Sequence, residues 1–222
     1  MAGLKTDDAV ETSGARAGTA EEAPLYERFA GLYDAIFERF FEPRIRLGID
    51  LLKLEPGDRV LDLGIGTGLS LDHYPEGVEV IGVDLAQGML AEAREKAGRL
   101  GRDGVRLARM DALELGFRDA SFDAVLVSFV VSVVSDPTGC IAEIERVAKP
   151  GARVMILNHF RSRNALYGAL EDALSPLCIK LGWRSDLTIE ELFRGSRLEI
   201  LRSFKKSCPD LWTLVLARNP GR

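Results

Sequence analysis

Residues 60–68 form the stretch that decides the fold, VLDLGIGTG. Its apolar beginning predicts a short buried strand, Arg59–Leu63, and its three glycines predict a turn from that strand into a helix. Glycine has no Cβ, so the backbone of such a turn can approach a ligand closely. The spacing is Gly-x-Gly-x-Gly. A dinucleotide fingerprint, Gly-x-Gly-x-x-Gly, would require glycine at position 69, where Leu69 stands.

Strand and helix patterns alternate along the chain around this turn. The predicted strands are Arg59–Leu63, Val78–Val83, Val105–Ala108, Ala124–Ser128, Arg153–Leu157, Leu198–Lys205 and Asp210–Ala217. The predicted helices are Leu69–Tyr74, Gln87–Leu100, Gly139–Val147 and Asn164–Leu181. Such alternation predicts an α/β fold, a doubly wound and mostly parallel seven-stranded sheet with helices on both faces.

The N-terminal part of the chain has a different organisation. Residues 1–23 contain few large apolar side chains and predict a disordered tail. Residues 24–55 predict amphipathic helices: an aromatic one over 25–41, broken by Pro43, and a second over Arg44–Leu54. Residues 56–218 then form the α/β domain. The aromatic helix suits either a lid on the sheet or a contact with a membrane interface.

Composition excludes several classes of protein. The chain has 222 residues, 46% apolar and 28% charged, which suits one well-packed domain rather than two. Its net charge of −5 argues against a basic nucleic-acid-binding protein. Three scattered cysteines argue against a disulfide or zinc framework, and two histidines leave little scope for a metal site. Without an apolar span or a visible signal peptide, we expect a cytoplasmic protein.

Polar residues follow the predicted strands where ligands of open α/β sheets bind, at their carboxyl ends. Asp84 ends the second strand, where a carboxylate can accept both ribose hydroxyls of a nucleoside; it can equally cap the following helix. Asp111 follows the third strand, where it can accept the exocyclic amine of adenine or remain a solvated loop acid. Ser128 marks the end of the fourth strand.

Together these elements resemble the class I S-adenosylmethionine-dependent methyltransferases over about residues 55–157. The resemblance rests on the glycine loop, the acid after the second strand, Met110-Asp111-Ala112 and the run 117–123 leading into the fourth strand. It implies a Rossmann-like methyltransferase fold with an N-terminal helical lid, an antiparallel last strand, and S-adenosylmethionine as cofactor. The cofactor-binding residues that it implies are Tyr33, Asp62, Gly64, Gly66, Gly68, Asp84, Leu85, Met89, Asp111, Ala112 and Ser128.

The acceptor must be argued separately, because this fold serves methylation of N, O, C and S atoms. The stretch 128–132, SFVVS, is apolar and lacks the Asn/Asp-Pro-Pro-aromatic run of enzymes that methylate nucleobase amines. No carboxylate–histidine cluster suggests a magnesium site for catechol methylation. Asn158, His159 and Arg161 place polar and cationic groups at the mouth of the predicted pocket, suited to a phosphate, although His159 can also cap the strand end.

The chain also resembles the bacterial phosphatidylethanolamine N-methyltransferases of the soluble, membrane-associating type. The resemblance rests on residues 69–71, 130–134, Asn158-His159 and 181–186. It implies stepwise methylation of the ethanolamine amine, a phospholipid substrate and a peripheral contact with an anionic membrane surface on its cytoplasmic side. Tyr26 and His159 are the predicted catalytic residues, as proton acceptors. Asn158, Arg161, Tyr167 and Trp183 are the predicted substrate-binding residues; we expect a monomer, without metal or nucleic acid.

Other functions are compatible with the same sequence. A quinone or other lipid-like C- or O-methyltransferase would share the aromatic lid. A noncatalytic S-adenosylmethionine-binding regulator would bind the cofactor without transferring methyl. A nicotinamide oxidoreductase is disfavoured by Leu69 and by the Met110-Asp111 element.

Overall fold

The computed structural model describes residues 40–161, 186–205 and 212–221, which lie within one compact unit, Glu38–Arg222. The helices are α1 (40–52), α2 (Gln87–Arg99), α3 (Pro137–Val147) and α4 (Ile189–Leu192), with a 3₁₀ turn at Leu71–His73. The strands are β1 (Arg59–Leu63), β2 (Glu79–Asp84), β3 (Val105–Arg109), β4 (Phe122–Ser128), β5 (Ala148–His159), β6 (Glu199–Phe204) and β7 (Trp212–Arg218). The predicted tail and the stretch Asn164–Leu181 lie outside the described residues.

The seven strands form one sheet in the order β3-β2-β1-β4-β5-β7-β6. Strands β1 to β5 are parallel to one another, and β7 runs antiparallel to both β5 and β6. The predicted doubly wound, mostly parallel sheet and its antiparallel last strand are therefore confirmed. Because the order reverses between β1 and β4, a crevice opens at the carboxyl ends of these two strands, where α/β proteins bind their ligands.

The central strands show why this sheet is covered on both faces. Consecutive residues are buried along β1 (Leu61 and Leu63 with Asp62 between them) and throughout residues 124–127 of β4. Since neighbouring side chains on a strand point to opposite faces, burial of both requires packing on both sides. The core thus holds the ends of β1 and β4 rigidly, and the loops that follow them start from fixed positions.

Three predicted boundaries were wrong. The described helix α1 includes Pro43, where the sequence predicts a break between two helices. Burial of Phe41, Ile45 and Ile49 on one face stabilises this helix. The expected helix at 69–74 is only a 3₁₀ turn. Strand β5 begins at Ala148, since a break in its register with β4 accommodates Pro150 within the strand.

Candidate active site

A cavity of about 360 Å³ opens at the carboxyl ends of β1, β2, β3 and β4. Six of the predicted cofactor-binding residues line it: Gly64, Asp84, Leu85, Asp111, Ala112 and Ser128. Two of these are carboxylates, and the described residues of the wall include no lysine, arginine or histidine. Such a wall favours a ligand that donates hydrogen bonds or carries positive charge, and disfavours a pyrophosphate.

Asp84 ties the end of β2 to the glycine loop. Its Oδ2 accepts a hydrogen bond from the backbone N–H of Gly66 (3.0 Å), and its Oδ1 accepts one from the N–H of Ala86 (2.9 Å). The alternative role as helix cap does not apply, because Ala86 is the N-cap of α2. An ionised carboxylate has about four acceptor sites, so Asp84 retains two for a ligand's hydroxyl groups.

The three glycines of the loop serve different purposes. All have positive φ (73°, 56° and 82° for Gly64, Gly66 and Gly68), a region that favours glycine. A Cβ at Gly64 would lie 2.1 Å from Cγ2 of Val130, so this glycine lets the loop after β4 pack against the loop after β1. A Cβ at Gly66 would meet nothing within 4 Å. Gly68 faces Leu71 and the backbone of α2 instead of the cavity wall.

Asp62 lies beneath this loop, buried at 1% exposure, and outside the described wall of the cavity. Its Oδ2 accepts hydrogen bonds from the hydroxyls of Ser70 and Tyr74 (3.0 Å for Tyr74). Burial raises the pKa of Asp62 to about 6 against the lowering effect of these two bonds, and burial together with the Asp62 carboxylate raises the pKa of Tyr74. Asp62 therefore holds Ser70 and Tyr74, which follow the glycine loop, and its direct contact with the cofactor stays a prediction.

A cluster around Arg146 of α3 fixes the loop that follows β3. The guanidinium donates hydrogen bonds to the carbonyls of Leu115 and Phe117 (2.7 Å each) and to Glu143, which in turn accepts the N–H of Leu115 (2.8 Å). The paired carboxylates raise the pKa of Arg146, so it stays charged. This loop carries Asp111 and Ala112, which places both at the β3 end of the cavity.

The other end of the cavity is apolar. Phe129, Val130, Val133 and Val134 follow β4 and line the wall. Phe129 adopts φ of 63°, an uncommon backbone conformation for an aromatic residue and one that concentrates at functional sites. The Oγ of Ser128 is buried in this wall and has no hydrogen-bond partner among the residues that the structure describes.

An aromatic cluster, formed by Phe41, Phe129 and Trp212, lies at the ends of β4 and β7. The ring centroids are 4.5 Å apart for Phe41–Phe129, 4.9 Å for Phe41–Trp212 and 5.1 Å for Phe129–Trp212, with planes close to perpendicular. Such edge-to-face contacts are favourable. The sequence alone did not identify this cluster, because its members are at least 83 residues apart along the chain.

The predicted acceptor residues of β5 lie close to this cluster but within the protein. His159 is 2% exposed and its ring is 5.9 Å from that of Trp212, its partner across β5 and β7. Asn158 is fully buried; its amide donates to the carbonyl of His159 and its Oδ1 accepts from Ser132. Asn158 thus anchors the loop after β4, and this burial is at odds with its expected position at the pocket mouth. Arg161 is exposed.

The remaining predicted residues divide into two groups. Met89 is 37% exposed on α2 and lies outside the described cavity wall. Tyr26, Tyr33, Tyr167 and Trp183 fall outside the described residues. Within residues 40–161, 186–205 and 212–221, no group of three or more His, Cys, Asp or Glu side chains is placed to hold a metal ion. Over the same ranges, no helix has the length and hydropathy required to cross a bilayer.

Comparison with known proteins agrees with this geometry. Residues 61–156 match the family described as "Methyltransferase domain". The chain is 41% identical to a phosphatidylethanolamine N-methyltransferase of Cereibacter sphaeroides over 86% of its own length and 93% of that protein. It is also 38% identical to a demethylmenaquinone methyltransferase of Beutenbergia cavernae, over 60% of this chain and 55% of that protein.

The fold matches that of a geranyl diphosphate methyltransferase solved in complex with S-adenosylmethionine (TM-score 0.69, 18% identity, 91% of this chain and 93% of that one). The cavity suits this cofactor, because its two carboxylates can accept hydroxyl and amine hydrogens and its wall accommodates the positive charge of a sulfonium. S-adenosylmethionine is the cofactor, and it supplies an activated methyl group. The chain belongs to the class I S-adenosylmethionine-dependent methyltransferases.

Proposed function

We propose that this methyltransferase acts on the amine of phosphatidylethanolamine and of its mono- and dimethylated derivatives, in phosphatidylcholine synthesis. The observation that carries the proposal is the 41% identity to a phosphatidylethanolamine N-methyltransferase, which extends over 93% of that protein. The similarity therefore includes residues beyond 61–156, the part that matches the methyltransferase family.

The charge of the cavity supports an amine acceptor. The ethanolamine amine is mostly protonated at neutral pH, as a lysine with pKa of about 10.4 is. Asp84 and Asp111 give the wall negative charge, and no described residue of it is cationic. This field attracts an ammonium group, which must then lose a proton before its nitrogen can attack. Tyr26 and His159 are the proposed acceptors of that proton, directly or through water.

A lipid substrate is supported by the apolar side of the site. Val133, which lines the cavity, is 59% exposed, and Phe40 at the described start of α1 is 58% exposed. The guanidinium carbon of Arg44 lies 5.7 Å from the centre of the Phe40 ring, but Arg44 is buried, so the exposed part of this pair is the aromatic ring. Residues 160–222 carry 11 basic and 7 acidic side chains, which favours contact with anionic lipid. In this proposal Arg161, with Tyr167 and Trp183, serves the lipid headgroup, and the enzyme is peripheral to the membrane.

A demethylmenaquinone-type acceptor is the second candidate. It is favoured by the similarity to the enzyme of Beutenbergia cavernae and by the apolar wall of Val130, Val133 and Val134, which suits a quinol ring. The smaller coverage of that relative, 55% of its length, makes it the weaker candidate.

The two candidates separate in one assay. Purified protein is incubated with methyl-labelled S-adenosylmethionine and vesicles of phosphatidylethanolamine and phosphatidylglycerol that also contain demethylmenaquinol, and the lipids are resolved by chromatography. Vesicles of phosphatidylcholine and phosphatidylglycerol serve as control, because a quaternary ammonium has no lone pair to accept a methyl group. Label in methylated ethanolamine lipids is the expected result. Label only in the quinol fraction would contradict the proposal.

A further inference from the structure

The hydroxyl of Ser128 is a buried polar group that no hydrogen bond among the described residues stabilises. Its Oγ has less than 1 Å² of accessible surface and makes no hydrogen bond within the described structure, although Ser128 lines the cavity. Buried hydroxyls are nearly always hydrogen-bonded, and the exceptions call for an explanation. A ligand in the cavity is the explanation that the position of Ser128 offers.

The order of the strands indicates which part of a ligand reaches Ser128. In the order of the strands across the sheet, the cavity is lined by Asp111 after β3, Asp84 on β2, Gly64 after β1 and Ser128 on β4. Neighbouring strands are about 4.8 Å apart. If Asp84 holds the ribose, the methionine part of the cofactor lies near the β1 loop, and the next strand faces the acceptor.

The surroundings of Ser128 agree with that position. A Cβ on Gly64 would lie 3.4 Å from the carbonyl oxygen of Ser128, so the serine directly adjoins the glycine loop. On its other side Ser128 pairs with Leu157 of β5, and Phe129 of the aromatic cluster follows it. Ser128 thus lies between the loop proposed for the cofactor and the apolar end of the cavity.

We propose that Ser128 is a catalytic residue whose Oγ accepts a hydrogen bond from an N–H of the neutral acceptor amine. This inference rests on the proposed function. With one N–H directed at Ser128, the nitrogen lone pair is free to point toward the methyl group; a hydrogen bond donated by Ser128 to that lone pair would instead block the attack. The serine orients the nucleophile and takes no proton from it.

The transfer balances without a further reactant. The amine nitrogen forms a bond to the methyl carbon as the carbon–sulfur bond breaks, and the electron pair of that bond stays on sulfur, leaving a neutral thioether. The nitrogen becomes an ammonium, which releases a proton to Tyr26 or His159, directly or through water, before the next transfer. After the third transfer it is a quaternary ammonium with no proton to release.

The number of N–H groups makes the proposal specific. The neutral amine of phosphatidylethanolamine has two N–H groups, the monomethyl lipid has one, and the dimethyl lipid has none. Ser128 can therefore orient the acceptor in the first two transfers and has no hydrogen to accept in the third. A role in cofactor binding, or a general role in folding, would affect all three transfers alike.

The test compares Ser128→Ala with Ser203→Ala, a control at an exposed serine of β6 that lies outside the described cavity wall. Initial rates are measured on vesicles of each of the three lipids at saturating cofactor, and the affinity for S-adenosylhomocysteine is measured by titration calorimetry. For Ser128→Ala we expect rates about tenfold lower on the first two lipids, a rate within twofold of wild type on the dimethyl lipid, and unchanged S-adenosylhomocysteine affinity. Ser203→Ala should match wild type throughout.

Each other result overturns a stated claim. Equal slowing on all three lipids, or equal rates for Ser128→Ala and wild type, overturns the role of Ser128 while the proposed function stands. Weaker S-adenosylhomocysteine binding by Ser128→Ala assigns the hydroxyl to the cofactor instead. Absence of label from all three lipids with the wild-type protein overturns the proposed function, and the inference with it.

Discussion

The two ends of the cavity are built in different ways. At the β1–β3 end the polar groups of the wall are those of the glycine loop, Asp84 and Asp111, which lie among apolar side chains such as Leu85 and are held by the hydrogen bonds of Asp84 and of Arg146. At the β4 end it is made of apolar side chains backed by the aromatic cluster. The β1–β3 end suits the polar nucleoside of the cofactor. Side-chain changes at the β4 end can alter that end without disturbing the β1–β3 end.

This contrast explains why the same fold serves different acceptors. Hydrogen bonds at the β1–β3 end come largely from backbone groups, which constrain the loop's shape and hence its sequence. At the β4 end, Ser128 apart, the wall depends on the size and packing of apolar side chains, and these vary easily. Changes at the two ends should therefore have separable effects.

The largest effect is expected for Gly64→Ala. The new Cβ would lie 2.1 Å from Val130, and the alanine backbone would have to keep φ at 73°. We therefore expect a loss of about 4 kcal/mol in the free energy of unfolding. Gly66→Ala is the matched control: its φ is also positive, but its Cβ meets nothing, and about 1 kcal/mol is expected. Denaturant unfolding measures both; equal losses would mean that Val130 does not limit the loop.

Asp62→Asn should alter the pH dependence of stability. Because the pKa of Asp62 is raised from 3.8 to about 6 in the folded protein, its protonated form is favoured there. Its contribution to stability is complete below pH 4 and is lost as pH rises through 6. The asparagine variant should therefore gain stability relative to wild type between pH 4 and 7, by up to about 3 kcal/mol.

Urea unfolding at several pH values measures this difference. Asp103→Asn, at an exposed position, is the control for the loss of a carboxylate. A difference between Asp62→Asn and wild type that does not change with pH would contradict a raised pKa of Asp62 in the folded protein.

Asp84→Ala should weaken the binding of S-adenosylhomocysteine about 100-fold. The change removes two hydrogen bonds that hold the glycine loop, together with the acceptors proposed for the ribose. Titration calorimetry measures the affinity, with Asp103→Ala as control. Binding within threefold of wild type would remove Asp84 from the cofactor site.

Trp212→Ala tests the opposite end of the cavity. Loss of the indole removes the support of Phe129, and we expect turnover on phosphatidylethanolamine vesicles to fall about tenfold while S-adenosylhomocysteine affinity stays within twofold of wild type. Trp212→Phe retains an aromatic ring and should lose less. A parallel fall in cofactor affinity would contradict the independence of the two ends.

The sequence predicted the β1–β3 end well, because its signals are local. Glycines that need positive φ and acids that follow apolar strands are visible within a few residues, and the strands β1 to β4 were predicted to within two residues. The burial of Asp62 was not foreseen, since its partner Tyr74 was expected to end a helix rather than to face β1.

The β4 end could not be predicted in the same way. The contacts of Phe129 with Phe41 and Trp212 depend on the position of β7 beside β5, which a local pattern does not reveal. Likewise, Asn158 looked like a ligand-binding residue from its place after an apolar strand. Its side chain is occupied by Ser132 and by a backbone carbonyl, as only the packed loop shows.

The most direct test of the division between the two ends is a crystal structure of the protein with S-adenosylhomocysteine. We predict the adenine beside Leu85 and Asp111, the ribose hydroxyls within hydrogen-bond distance of Asp84, and the sulfur near Gly64 on the side facing Ser128. A nucleoside bound against Phe129 and Val133, with Asp84 still bonded only to Gly66 and Ala86, would contradict the account.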